Sequence, residues 1–380
     1  MSVSFKTPPR RILVRGTNWL GDAVMTTPAL LRLREQFPAA HIVLLTQSKL
    51  AELWQQHPAI NETIDFTAEE GIFAIAKKLR AEKFDLALVL PNSPRSALEV
   101  FLAGIPQRIG YARPWRNFFL TQVVTPRAGA VKMHKRTAAE IQQLVSQKPE
   151  ARSQKPEARS QKPEVPKSAH QIFEYLNLVA ALGANAEPLA PQLFVTPDEI
   201  EAVKIKFGLD KITAPIFGLN PGAEYGAAKR WPVEKFISAA KEIQQQTNCV
   251  WILFGGKGDL QLCERIESEI QNSKFKIQNL SGQTSLRELM ALLKICRAVL
   301  TNDTGPMHVA AALGTPVAVP FGSTSPELTG PGLPGDARNH LIKSDAPCSP
   351  CFLRECPIDF RCMNGISVER VVEAVLQTVR

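Results

Sequence analysis

The chain has 380 residues, enough for two domains with separate cores, and its 44% hydrophobic and 21% charged residues are ordinary for a globular protein in water. No apolar run is long enough to span a bilayer and no apolar signal core precedes Ile12, so the expected location is the cytoplasm. The net charge of +9 is unevenly spread: no acidic residue lies between Glu99 and Glu140, where Arg108, Arg113, Arg116, Arg127, Lys132, Lys135 and Arg136 alternate with Tyr111, Trp115, Phe118 and Phe119. Such a window fits an anionic partner, either a membrane face or an acidic glycan or lipid, against the plain alternative of a solvated basic surface. No recognisable nucleic-acid module accompanies it, which ranks nucleic acid last.

In chain order, residues 11–15 read as a strand, followed by helical pattern to Phe37. Pro28 leaves two options: it bends a helix begun near Asp22, or Thr27 caps a helix starting at Pro28. A second strand is expected at 41–46, a helix at about 49–56, an apolar strand at 84–90 and a helix around 96–102. This alternation predicts an α/β domain with a parallel sheet wrapped by helices. Ser146 to Arg152 is then repeated as 153–159 and almost again as 160–166. The seven-residue period has no apolar a and d positions and carries a proline per copy, so it reads as a polar surface insertion without a catalytic role. Helical pattern resumes at 170–182.

Residues 188–197 look like a crossing between domains. From Ala214 the alternation restarts, with strands at 214–219, 249–254, 297–301 and 316–320 and helices at about 233–246, 259–270, 285–293 and 306–313. Val368, Val371, Val372, Val375 and Val379 fall on one face of a last helix capped by Ser367. The expected division is an N-terminal domain at 1–187, a linker at 188–212, a C-terminal domain at 213–366, and a helix at 367–380 that packs back on the N-terminal domain. Two Rossmann-like domains facing a central cleft follow, with ligands at the carboxyl ends of the strands.

Several strand-to-helix junctions carry chemistry. Gly16 to Asp22 resembles a P-loop frame, but Asp22 stands where the phosphate-binding lysine belongs, and no Gly-x-Gly-x-x-Gly is present. What remains is a carboxylate at the top of a sheet, suited to a general base or, more plainly, to capping a helix. Asn220-Pro221-Gly222-Ala223-Glu224 runs to Lys229-Arg230-Trp231-Pro232, and Thr301-Asn302-Asp303-Thr304-Gly305-Pro306-Met307-His308 opens a later helix. Glycines permit close approach to the main chain and helix starts favour anions, so two such junctions suggest a diphosphate-bearing ligand. Lys229 is placed to neutralise a departing diphosphate, with Arg230 a less certain neighbour. Gly255-Gly256-Lys257-Gly258 offers a further close-approach loop suited to a nucleoside. His308, one turn into its helix, is either a ligand contact or a satisfied structural histidine.

Of seven cysteines, Cys249, Cys263 and Cys296 read as core fillers. Cys348, Cys351, Cys356 and Cys362 form a proline-shaped loop that could surround a structural zinc or iron–sulfur cluster, although the spacing is not that of a common finger.

Taken together, Asn18-Trp19-Leu20-Gly21-Asp22, Leu90-Pro91-Asn92-Ser93, Ala103-Gly104-Ile105-Pro106, Pro221 to Gly226, Ala228 to Pro232 and Thr301 to His308 resemble the lipopolysaccharide heptosyltransferases of Gram-negative bacteria. The resemblance covers nearly the whole chain apart from the repeat, and is greatest to the branch that adds the second inner-core heptose. It implies a GT-B fold, with the acceptor bound by the N-terminal domain and the nucleotide-sugar by the C-terminal one. It implies inverting transfer of L-glycero-D-manno-heptose from ADP-heptose to the first heptose on Kdo2-lipid A, at the inner face of the inner membrane, without a required cofactor. On this resemblance Asp22 is the base, while Gly222, Glu224, Lys229, Asp303, Thr304, Gly305 and His308 bind the donor. Asn18, Trp19, Asn92, Arg113 and Arg116 are the expected acceptor contacts. The alternatives are a sister heptosyltransferase with another acceptor, a nucleotide-sugar epimerase on the same fold, or a binding module without catalysis. The heptad repeat is no part of the family pattern, and the cysteine loop belongs to only some relatives.

Overall fold

The structure, a computed structural model, describes residues 7–146, 165–271 and 276–379; the repeat therefore lies, apart from its ends, outside the described residues. The chain forms two compact units, Met1–Ala130 with Gln171–Thr196, and Val131–His170 with Pro197–Arg380.

In the first unit β1 (Arg11–Arg15) leads through α1 (Leu20–Met25) and α2 (Thr27–Gln36) to β2 (His41–Gln47) and β3 (Glu62–Phe66). Then come α3 (Ile72–Ala81), β4 (Leu86–Val89), α4 (Pro94–Leu102), β5 (Gln107–Tyr111) and β6 (Gln122–Val124). The chain next lends α5 (Ala138–Ser146) to the second unit before returning as α6 (Ile172–Ala180). All strand pairs are parallel, in the order β3-β2-β1-β4-β5-β6. Ile12, Leu13 and Val14 are wholly buried because a parallel sheet is covered on both faces.

The second unit runs α7 (Pro197–Lys206), β7 (Ile216–Asn220), α8 (Val233–Thr247), β8 (Val250–Leu253), α9 (Leu260–Gln271), β9 (Ile277–Asn279) and α10 (Leu286–Ile295). It continues with β10 (Val299–Thr301), α11 (Gly305–Ala312), β11 (Val317–Phe321), α12 (Pro326–Thr329), β12 (Asn339–Lys343), α13 (Arg361–Asn364) and α14 (Val368–Val379). Its strand order, β12-β11-β10-β7-β8-β9, is the first unit's order read from the other end. Each sheet therefore reverses direction once, at β1/β4 and at β7/β10, and such switch points open a crevice at the strands' carboxyl ends.

Several expectations are corrected. The stretch at 49–56 is a 3-10 helix over Ser48–Trp54. Around Pro28 the first helix ends at Met25 and the second begins at Thr27, with Thr26 serving both ends and Pro28 in the first turn, where its missing N–H costs nothing. The hydroxyls of Thr26 and Thr27 turn back to the carbonyls of Ala23 and Val24, at 2.6 and 2.9 Å. Residues 131–170 belong to the second unit because Ile141 and Val145 give α5 an apolar face that joins the core of Phe217, Trp231 and Trp251. The latter part of the expected linker is α7, held to α10 by a doubly bonded Glu199–Arg287 pair (2.6 and 2.5 Å). The last helix does not return to the N-terminal domain: Val371, Val372 and Val375 are buried in the second unit's core, and α14 packs on α8, β11 and β12. Ser367 accepts from the Arg370 N–H at 3.4 Å, so the expected cap is present.

One buried ion pair ties the first unit's crevice together. Arg15, 2% exposed, donates from Nε to Glu99 of α4 at 2.9 Å, and its Nη1 donates to the Gly16 carbonyl (2.7 Å) and to Asn18 Oδ1 (2.9 Å). Removing one partner strands the other charge in a dry core, so Glu99→Ala is expected to cost about 3–5 kcal/mol. Chemical denaturation measures this, and a loss below about 1 kcal/mol, the size of an exposed pair, would contradict it.

Candidate active site

Asp22 sits in the first turn of α1, beyond the end of β1, where the helix start favours a carboxylate. It is half-buried, and Oδ1 accepts from Gln171 Nε2 at 3.3 Å; the same amide donates to Tyr175 Oη at 2.7 Å. Burial, followed by the negative charge of Asp22, holds the Tyr175 phenol well above its ordinary pKa, so it stays protonated. Gln171 and Tyr175 lie on the returning segment and had no signal in the sequence, since neither belongs to a junction motif.

At the neighbouring strand end, Asn92 Oδ1 accepts from Arg116 Nη1 at 3.3 Å. Arg116 is fully buried, and its Nε and Nη2 have no hydrogen-bond partner among the described residues. Burial first, then the charge of Arg113, pulls its pKa down to about 10, so it remains a cation in a place that offers it no carboxylate. Arg113 lies with its guanidinium 5.7 Å from the Tyr111 ring centre and donates to the Ala112 carbonyl at 2.9 Å. Trp19, 44% exposed, precedes α1 and stacks under Lys49 Nζ at 5.4 Å. The first unit thus gathers Asn92 with Arg116, while Asn18 is held separately by Arg15.

In the second unit Asn302, wholly buried, clamps two junctions: Nδ2 donates to the Pro221 carbonyl at 2.7 Å and Oδ1 accepts from the Trp231 N–H at 3.0 Å. Asn220 Nδ2 donates to Thr301 Oγ1 at 2.9 Å. These bonds fix Lys229, whose Nζ lies 2.7 Å from Asp303 Oδ2 and 4.9 Å from the Tyr225 ring centre. Thr324, beyond β11, donates to the same Asp303 oxygen. Thr304 is extended and leads into α11 with Gly305 and Pro306 in its first turn. Gly222 is required by close approach, because a Cβ there would meet Asp259 Oδ2 at 2.5 Å. That Asp259 accepts from the Gly256 N–H at 3.1 Å, tying the Gly255–Gly258 loop to the same region, and Arg230 approaches its other oxygen at 3.5 Å. Glu224 is exposed on the loop between Gly222 and Lys229.

His308 is 5% exposed, and burial, opposed by Asp303 but aided by His170 and Lys229, pulls its pKa down to about 4. At neutral pH it is an uncharged imidazole, so Lys229 and the main-chain N–H groups of α11 are what the junction offers an anion.

The cysteine loop braces this region. The Arg354 carbonyl accepts from the Ala228 N–H at 2.9 Å, the Phe352 carbonyl accepts from Tyr225 Oη at 3.0 Å, and the Arg354 guanidinium lies 5.1 Å from the Tyr225 ring centre. Cys348, Cys351, Cys356 and Cys362 are all free thiols, and burial raises Cys348 and pushes Cys362 up to about 12. Among the described residues no group of three or more His, Cys, Asp or Glu is placed to hold a metal ion. Thr324, Tyr225 and Arg354 were missed as site residues; only Tyr225 stood inside a recognised motif.

Two Rossmann-like units, one carrying a carboxylate at its switch point and the other a cation beside a helix start, define a glycosyltransferase of the GT-B class. Residues 72–360 match the family model of glycosyltransferase family 9 (heptosyltransferase), and the chain belongs to that family. It is 31% identical to lipopolysaccharide heptosyltransferase 2 of Escherichia coli K12 over 329 residues, covering 84% of this chain and 85% of that one. It is 32% identical to lipooligosaccharide heptosyltransferase 2 of Haemophilus ducreyi over 334 residues, covering 84% and 86%. The solved structure of E. coli ADP-heptose lps heptosyltransferase II matches with a TM-score of 0.75 at 27% identity, over 97% of this chain and 98% of that one.

Three buried histidines give the stability a pH signature. His57, His170 and His308 are each pulled from 6.5 to about 4, mainly by burial. The unfolded chain therefore binds protons that the folded one refuses, and stability is complete above about pH 6.5 and lost as pH falls towards 4. Each histidine is expected to cost on the order of 1–2 kcal/mol at pH 5 relative to pH 7. Urea midpoints at the two pH values check this, with His308→Gln reducing the difference; equal midpoints for the unaltered protein would contradict it.

Proposed function

We propose that this glycosyltransferase moves L-glycero-D-manno-heptose from ADP-heptose onto the first heptose of Hep-Kdo2-lipid A, with inversion at the anomeric carbon. The observation that carries the reading is Lys229, positioned by Asp303 beside the start of α11, in a chain that matches heptosyltransferases over most of its length. Asp22 takes the proton of the acceptor hydroxyl as that oxygen bonds to the anomeric carbon. The bond from that carbon to the phosphate oxygen breaks, and its electron pair leaves with ADP. Lys229 and the first N–H groups of α11 meet the charge that develops on the diphosphate, and Asp303 with Thr324 keeps the ammonium in position. Neutral His308 contributes a hydrogen bond rather than a charge. The displacement draws on no cofactor.

The acceptor side of the reading is supported by Arg116. A buried guanidinium with two unpartnered nitrogens is costly unless an anion completes it, and a Kdo carboxylate or lipid A phosphate supplies one. Asn92 fixes the guanidinium's third nitrogen, and Arg113 adds positive charge beside it. A lipid acceptor also places the enzyme at the inner face of the inner membrane, and no helix among the described residues is long and apolar enough to cross one.

The base is tested with Asp22→Asn, which keeps the shape and removes the proton acceptor. Turnover is expected to fall by about 10²–10⁴, while ADP-heptose binding by calorimetry stays within a factor of about three. Turnover within tenfold of the unaltered enzyme would remove Asp22 from the chemistry. Lys229→Ala is expected to weaken ADP binding about 10–100-fold, the worth of one charge-assisted contact; unchanged ADP affinity would remove Lys229 from the donor site.

A further inference from the structure

The segment after β5 shows two large aromatic rings to water. Trp115 is 89% exposed and Phe118 is 81% exposed, three residues apart, the two most exposed large apolar side chains among the described residues, with Phe73 at 79% and Ile205 at 65% standing apart from them in the sequence. Their outward position is built. Trp115 takes a left-handed conformation (φ 63°), which a bulky residue adopts only when its surroundings impose it. Here Arg116 must turn inward to reach Asn92, and Asn117 Oδ1 fastens the loop by accepting from the Arg113 N–H at 2.9 Å. Phe118 stands on a small aromatic base, its ring centre 6.0 Å from that of Phe101 on α4 and 5.7 Å from that of Phe119, whose own ring reaches the first unit's core.

Cations surround this base. The Arg108 guanidinium lies 5.3 Å from the Phe101 ring centre and donates to the Phe119 carbonyl at 2.8 Å, Arg80 donates to the Leu102 carbonyl, and Arg113 precedes Trp115. No acidic residue occurs in the sequence from Val100 to Ala139, and Glu99, just before it, is buried against Arg15. Projecting aromatics set among unopposed arginines match one kind of surface: an anionic headgroup layer for the guanidinium groups over an apolar boundary for the rings.

We infer that Trp115 and Phe118, with the surrounding arginines, form an interfacial anchor that docks the first unit on an anionic phospholipid bilayer. The inference deepens the membrane location proposed above by naming the surface, and its test needs neither donor nor acceptor. Because inserted rings hold in salt that screens arginines, attachment is expected to outlast added salt in part.

The experiment is flotation of the full chain with vesicles of phosphatidylcholine alone and of phosphatidylcholine mixed with phosphatidylglycerol. The unaltered protein is expected to float with the mixed vesicles only, and its tryptophan emission to shift to the blue, a shift abolished in Trp115→Phe. The double substitution Trp115→Ser, Phe118→Ser is expected to lower partitioning at least about tenfold with an unchanged melting temperature, since both rings are exposed. Failure of the unaltered protein to bind mixed vesicles would overturn the inference, and so would equal binding by the double variant. Self-association abolished by the double variant, without vesicle binding, would overturn it in favour of a second copy as the partner. Vesicle binding by the unaltered protein that the double variant loses, without turnover of Hep-Kdo2-lipid A by the unaltered protein, would support the anchor and count against the acceptor assignment.

Discussion

The second unit's chemistry hangs on the side chain of Asn302. An asparagine can donate and accept at once, and this one, wholly buried, spends both capacities on main chain from another loop: the Pro221 carbonyl and the Trp231 N–H. That clamp sets where the intervening loop runs, and so where Lys229 meets Asp303. Aspartate would lose the donor and leucine both bonds, each leaving buried main-chain groups unpaired at a cost of about 1–3 kcal/mol apiece. The main chain then adds its own constraint, since any Cβ at Gly222 would displace the Asp259 carboxylate from its place against the Gly256 N–H.

Charge in the two crevices is arranged by subtraction. His308, His170 and the Cys348 and Cys362 thiols are all driven towards their neutral forms by burial, so Lys229 lies beside Asp303 without a second cation on α11. In the first unit the logic is reversed. Arg15 is compensated by Glu99 and uses its remaining donors on the loop that carries Asn18, whereas Arg116, buried as deeply, has no carboxylate partner among the described residues. One arginine holds the architecture; the other leaves two buried donors without a partner among the described residues, which is the physical ground for proposing it as a contact of an anionic acceptor.

Much of the architecture was legible because parallel strands covered on both faces are written as apolar runs: β1, β2, β4, β7, β8 and β11 all fall within two residues of where hydrophobicity places them. Elements that escaped are those where the pattern is overwritten. β3 is an edge strand with most side chains exposed, and β5 contains Gly110, where a Cβ would lie 2.8 Å from Arg116 Nη2. The allocation of residues around α5 escaped because its apolar face rests on two side chains, Ile141 and Val145, too few to show which core they join. Within the candidate site, the junction motifs carried Asp22, Asn92, Lys229, Asp303 and His308, which are local in sequence. Gln171, Thr324 and Arg354 were invisible because each reaches its partner from a distant segment, through an ordinary side chain or a backbone carbonyl.

The central claim is that Lys229 beside α11 and the first unit's Asp22 and Arg116 serve one reaction, heptose transfer from ADP-heptose to a heptosylated lipid. The most direct measurement is ADP release from ADP-heptose with two acceptors in parallel, Kdo2-lipid A and the same lipid already bearing one heptose. The account predicts turnover with the heptosylated acceptor alone, and a product heavier by one heptose. Turnover with the bare acceptor, or silence with both, would contradict it.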